Sequence, residues 1–159
     1  MTHEIPFELS VADEARLAEL LPLVRAYHAF DGIDMSDAQR AEAVAPLLPA
    51  DSPLGRIWLI ESGGRAVGYV ALCLGYSIEF RGRDAFVDEL YLVEQARGQG
   101  LGSRVLERVR AEARGMGIAA LHLEVARDNA RARALYEKWG FRAREQFTLM
   151  SCSLLPAAA

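Results

Sequence analysis

The chain has 159 residues, of which 52% are apolar and 25% charged, with a net charge of −4 and a pI near 5.4. That length and composition suit one folded domain, read here as residues 1–155 with 156–159 as a disordered tail, and exclude a low-complexity chain. The mild acidity gives no electrostatic case for nucleic acid or an anionic membrane, and no apolar run approaches the roughly 20 residues of a bilayer span. Residues 1–10 carry neither a basic nor an apolar leader segment. Cys73 and Cys152 stand far apart without a CxxC, and His3, His28 and His122 lie at no metal-ligand spacing. Reduced thiols, no metal and a cytoplasmic setting are therefore expected.

In chain order, residues 5–9 suit a short first strand, and Ser10 or Asp13 offers a helix start. Leu17, Leu20, Leu21, Val24 and Tyr27 or His28 recur at helical spacing, with Pro22 expected to kink or split that helix. Ser36 with Gln39 forms a capping box for a second helix running to Leu48. Residues 49–53 turn the chain into strands over 56–61, 66–78 and 85–93, joined at Ser62-Gly63-Gly64 and at residues 81–84. A helix over 100–114 places Leu101, Val105 and Val109 on one stripe and ends at Gly115 and Gly117. A strand over 121–126 follows, then a helix capped by Asp128 or Asn129 and stopped at Gly140, then a last strand over 147–154. The predicted fold class is α/β (α+β), a mixed, mainly antiparallel central sheet flanked by helices, with the strand–helix–strand portion from 85 to 126 as a parallel crossover.

The most informative stretch is Arg97-Gly98-Gln99-Gly100-Leu101-Gly102-Ser103, between a strand and a helix. Glycines there uncover backbone N–H groups at a helix N-terminus, whose dipole favours an anion such as a pyrophosphate, and Arg97 adds a charge-assisted donor. The dinucleotide fingerprint would need glycine where Ser103 stands, and the P-loop pattern lacks its Lys-Ser or Lys-Thr pair. A flexible turn before a helix is the plain alternative for so short a motif.

Residues farther along change that balance. The glycine loop follows Asp88-Glu89-Leu90-Tyr91-Leu92, and Asn129-x-x-Ala132-x-x-Leu135-Tyr136-x-x-x-Gly140-Phe141 comes next. Together these motifs resemble the GNAT superfamily of acetyl-CoA-dependent N-acetyltransferases. The likeness is strong over residues 85–141 and looser back to Ile57 through Gly68-Tyr69-Val70. Glu94 stands where many members have proline, a departure that affects a loop.

The resemblance implies acetyl-CoA as cofactor and a primary amine, on a small molecule or a protein, as acceptor, attacked directly in a ternary complex. It implies that Leu90, Tyr91 and Leu92 line the pantetheine arm in a gap between splayed strands, with the Leu90 or a neighbouring N–H as oxyanion donor. Residues 97–103 would hold the pyrophosphate, and Asn129 and Ala132 would touch the cofactor. Tyr136 would protonate the leaving thiolate. Asp88 and Glu89 are the candidate bases, placed on opposite faces by strand alternation, with Asp88 favoured and a water chain as third choice. An arginine partner such as Arg81 or Arg83 would make either acid structural instead. Tyr27 and Phe30, with His28 and Asp31 at the end of the first helix, and Tyr76 and Glu79 are the candidate acceptor-binding residues.

Read without the family, Tyr136 is a core aromatic, Asn129 a helix cap and His122 a structural histidine. The alternative function is an inactive acyl-CoA-binding or protein-interaction module of the same fold. No nucleic-acid or membrane partner is expected, and a homodimer is left open.

Overall fold

A computed structural model describes residues 4–156; of the expected tail, 157–159 lie outside the described residues. Strands β1 (Glu8–Val11), β2 (Gly55–Ser62), β3 (Arg65–Ser77), β4 (Gly82–Leu92) and β5 (Ala120–His122) form one sheet in chain order. The first four pair antiparallel and β5 joins β4 in parallel, so the mixed, mainly antiparallel sheet expected from the pattern is the one observed. Helices α1 (Leu17–Asp31) and α2 (Asp37–Val44) cover one face. Helix α3 (Leu101–Gly115) covers the other, and α4 (Ala130–Lys138) follows β5.

Strand alternation builds both cores at once. Ile57, Leu59, Tyr69 and Ala71 pack with Leu20, Leu23 and Val24 of α1 and with Val44 of α2. Their neighbours Trp58, Ile60, Val70 and Leu72 pack with Leu101, Val105 and Val109 of α3. Central strands buried on both faces therefore read as continuous apolar runs. The β2–β3 turn uses Gly63 and Gly64 at φ of +59° and +75°, the left-handed pair that a tight hairpin requires.

Several expected boundaries move. The first strand starts at Glu8 rather than residue 5 and includes Ser10, so the helical turn begins only after Asp13. Pro22 does not divide α1. It sits early in the helix, where its missing N–H costs one bond, and Leu20, Leu23 and Val24 anchor the turns around it in the core. The Ser36–Gln39 capping box is present in both directions, but α2 gives way at Ala45 to a 3₁₀ turn that contains Pro46.

Two differences concern the far end of the sheet. Strand β5 stops at His122, short of residue 126, because it pairs with β4 only from Asp84 to Phe86 and then diverges. The strand expected over 147–154 is not in the sheet: Phe147, Leu149 and Met150 are exposed and no ladder includes them. Its apolar residues are a local signal, whereas a strand needs an edge to pair with. Arg144 instead ties the segment before it to Glu79 in the β3–β4 turn, at 3.1 Å.

Candidate active site

The parting of β4 from β5 is the central geometric fact. Beyond Phe86 the β5-facing edge of β4 has no partner strand among the described residues. Opposite it, the β3 ladder skips Asp88: Ala71 pairs with Glu89 and Leu72 with Val87. This bulge adds a residue at the point where the strands open, and it breaks the alternation that would send Asp88 and Glu89 to opposite faces. Both acids line one cavity of about 510 Å³ with Phe86, Val87, Tyr27, Asp31, Ile33 and Glu124 to Ala126. The two acids therefore share a cavity, where alternation predicted a division.

Their surroundings differ. Asp88 is exposed. Glu89 is largely enclosed: its Oε2 lies 2.7 Å from His28 Nε2 of α1, and its Oε1 accepts from the Tyr69 hydroxyl of β3 at 3.1 Å. Burial raises the Glu89 carboxyl above the ordinary carboxylate range, while the bonds from His28 and Tyr69 pull the other way. Burial likewise pushes the Tyr27 hydroxyl up to about 12 and the neighbouring Cys73 thiol up to about 11. Neither acid pairs with Arg81 or Arg83 in the way that would make it structural. Among the described residues, no side chain of the cavity wall is cationic, whereas four are carboxylates: Asp31, Asp88, Glu89 and Glu124.

The glycine segment lies where β4 leads into α3. Gly98 and Gly100 adopt φ of +79° and +75°. No side chain caps α3, which leaves its first-turn amides, at residues 101–103, without helical acceptors. At Gly100 the space that a Cβ would enter is clear. Arg97 donates from Nε to the Leu92 carbonyl at 2.7 Å, and its guanidinium lies over the rings of Tyr91 and Phe30 at 5.3 and 5.4 Å. Leu101 is a core residue, Gln99 bonds back to the Gln95 carbonyl, and the Ser103 hydroxyl accepts from the Trp139 indole at 2.9 Å.

Asn129 caps α4 by accepting from the Ala132 amide at 3.1 Å. Tyr136, on α4, packs edge-on against Phe141 at 5.9 Å, and burial raises its hydroxyl above the usual value. It lines a second, larger cavity of about 1140 Å³ that shares Phe86, Glu124 and Val125 with the first. Glu79 also lines that larger cavity and is held by Arg144.

Of the acceptor residues expected from sequence, the structure brings Tyr27 beside Asp88 and Glu89. Phe30 is 73% exposed and stacks on Arg97, nearer the glycine segment, and Tyr76 is 71% exposed and lines neither cavity. His122 bonds to Asp84 at 3.1 Å between the rings of Phe80 and Phe86 and also lines the larger cavity. Sequence reading did not single out Tyr69, which donates to Glu89, Glu124, which lines the cavity of the two acids, or Arg40, which donates to His28 at 3.3 Å, and did not foresee that His28 reaches Glu89. One signal was available: His28 follows Leu20 and Val24 at four-residue steps, so it lies on the buried stripe of α1.

The acetyltransferase (GNAT) family profile matches residues 23–141. An uncharacterized N-acetyltransferase of Archaeoglobus fulgidus is 31% identical over 90 residues, 56% of this chain and 61% of that one. A thialysine N-epsilon-acetyltransferase of Bos taurus is 35% identical over 78 residues, 49% of this chain and 45% of that one. The chain thus matches about half to three-fifths of the length of these curated relatives. The crystal structure of an integron cassette protein from the mobile metagenome of Cole Harbour Salt Marsh superposes with a TM-score of 0.80. It is 30% identical, and the match covers 94% of this chain and 91% of that one. The fold is that of an acyltransferase superfamily. The chain belongs to the acetyltransferase (GNAT) family.

Proposed function

We propose that this protein transfers an acetyl group from acetyl-CoA to the primary amine of a small cationic acceptor, by direct attack in a ternary complex. The observation that carries the reading is the cavity where β4 and β5 part, walled by four carboxylates and no cationic side chain. Such a wall attracts ammonium groups and repels anionic ones. The bovine relative, named for acetylating thialysine, is consistent with an amine acceptor. The unpaired cysteines agree with a reducing, cytoplasmic setting, and no helix among the described residues is long and apolar enough to cross a membrane.

The residues present fit the cofactor. The uncapped start of α3, opened by Gly98 and Gly100, would receive the pyrophosphate on the amides of 101–103. The free edge of β4 from Leu90 to Leu92 would take the pantetheine arm, and Asn129 and Ala132 would flank it at the start of α4. When bound, acetyl-CoA supplies a thioester carbonyl open to attack by a neutral amine.

Around that carbonyl the protein has three tasks. A backbone N–H on the free β4 edge, at Leu90 or beside it, would bond the carbonyl oxygen as negative charge develops there. The Tyr136 hydroxyl, protonated at neutral pH as a phenol ordinarily is, would donate to the departing sulfur. Glu89 takes the proton of the amine. It fits this task better than Asp88, because burial raises its carboxyl toward the pH at which an amine must be deprotonated. Asp88, Asp31 and Glu124 are then left to hold the acceptor's other positive charge.

Thiol release from acetyl-CoA across an amine panel tests the reading. The expected result is CoA release that needs a primary amine, with diamines preferred over neutral monoamines and KM rising with salt. Acetyl-CoA binding without amine-dependent release would leave an acyl-CoA-binding module and overturn the proposed activity.

A further inference from the structure

Glu89 does not stand alone in the wall of its cavity. His28 is 4% exposed, and its two ring nitrogens face different elements. Nε2 meets Glu89 at 2.7 Å, and Nδ1 accepts from Arg40 Nε of α2 at 3.3 Å. A guanidinium has donors and no acceptor, so Nδ1 must present its lone pair and the ring hydrogen sits on Nε2. Arg40 is itself buried and held by Asp37, whose Oδ1 accepts from it at 2.8 Å. Arg40 thus donates both to Asp37 and to His28, and His28 donates on to Glu89, so one hydrogen-bonded path joins α2 through α1 to β4.

We propose that His28 is a positioning residue for the base, its tautomer set by Arg40, so that its Nε2–H anchors Glu89 and leaves the carboxylate's remaining lone pairs for the amine. This rests on the reading of Glu89 as base. Each carboxylate oxygen has one protein donor, His28 on Oε2 and Tyr69 on Oε1. A carboxylate accepts more than two bonds, so acceptor capacity remains. The groups around it are Tyr27, His28 and Asp31 from α1, Asp37 and Arg40 from α2, Tyr69 and Cys73 from β3, Asp88 beside it, and Glu124 across the cavity. Among these only Arg40 is a fixed cation, and it reaches Glu89 through His28. An apolar residue at 28 removes a donor to a buried carboxylate and so moves its titration upward. Glutamine at 28 keeps one donor and one acceptor on its amide and is the conservative replacement.

The test compares His28→Leu, His28→Gln, Arg40→Met and Glu89→Gln with the wild type, after denaturation curves show which variants are folded. The kcat/KM–pH profile is measured for each. The Glu89 carboxyl and the His28 ring are followed by carbon-13 and nitrogen-15 NMR in the resting protein. The expected result is loss of the acidic limb in Glu89→Gln and an upward move of limb and carboxyl titration by about one to two pH units in His28→Leu. Recovery in His28→Gln and a smaller upward move in Arg40→Met are expected as well. A Glu89 titration unmoved in both His28→Leu and Arg40→Met, or a His28 ring protonated on Nδ1, overturns the positioning role even where Glu89→Gln shows Glu89 to be the base. An acidic limb that survives in Glu89→Gln overturns the base reading instead, and with it the catalytic part of the role of His28, whatever the NMR titration shows.

Discussion

The two edges of β4 have opposite fates. Toward β3 the strand is paired from Gly82 to Leu92, interrupted only at the bulge. Toward β5 it is paired only from Asp84 to Phe86. Side chains near the closed edge, such as Val70, Leu72 and Ala85, are fully or almost fully buried and form the core. The open edge carries unpaired backbone groups, the acid-lined cavity and the approach to the glycine segment. One strand thus serves as both scaffold and site. A rigid ladder on one side fixes groups that the other side leaves available to a ligand. The bulge at Asp88 lies close to the change from one state to the other, where bulges commonly redirect side chains.

Substitutions can separate the two edges. The largest expected effect is at the open edge: Glu89→Gln should lower kcat/KM by about 10²–10⁴, most severely at low pH. It should leave neutral-pH stability unchanged or higher. The folded-state pKa of Glu89 is raised above its unfolded value, so the wild type gains stability relative to Glu89→Gln as pH falls through the raised value toward the ordinary carboxylate range, and loses it as pH rises. Steady-state rates and urea curves over a pH series check both points. A variant with wild-type kcat/KM at every pH would remove Glu89 from the chemistry.

At the closed edge, Leu72→Ala should cost about 2–5 kcal/mol of stability, because Leu72 is fully buried between the sheet and α3. Chemical denaturation measures the cost, and the fraction that stays folded should keep its KM for the amine. A large KM change with little loss of stability would mean that the two edges are not separable.

Tyr136→Phe should reduce turnover by about 10², the low end for loss of a general acid, with acetyl-CoA affinity retained because the ring still packs on Phe141. Turnover with saturating amine at several pH values is the check, and a wild-type rate would leave Tyr136 a packing residue. The smallest effect belongs to Gly100→Asp, roughly tenfold in acetyl-CoA affinity. A carboxylate there opposes the anion, and a side chain at φ of +75° is strained. Calorimetry beside a melting curve distinguishes lost affinity from lost fold, and unchanged affinity in a folded variant would place the phosphates elsewhere.

What the sequence determined by itself was whatever depends on neighbours a few residues apart. The Ser36–Gln39 capping box, the Gly63-Gly64 hairpin, the apolar stripe of α3 and the glycine-opened start of that helix all stand where local spacing put them. The combination of the glycine segment with Asn129 to Phe141 was enough for the family. Pairing across long sequence distances was decided only in the tertiary structure. Asp88 and Glu89 read as alternating residues until the ladder with β3 skipped one of them. His28 and Glu89 are 61 positions apart and meet because α1 packs on the face of the sheet that carries Tyr69. The apolar residues Phe147, Leu149, Met150 and Leu154 read as a strand much as the apolar run of β2 does, yet they form none. Apolar, strand-favouring residues prepare a segment to pair, but the hydrogen bonds that define a strand come from an edge elsewhere in the chain, and the sheet's arrangement decides whether one is offered.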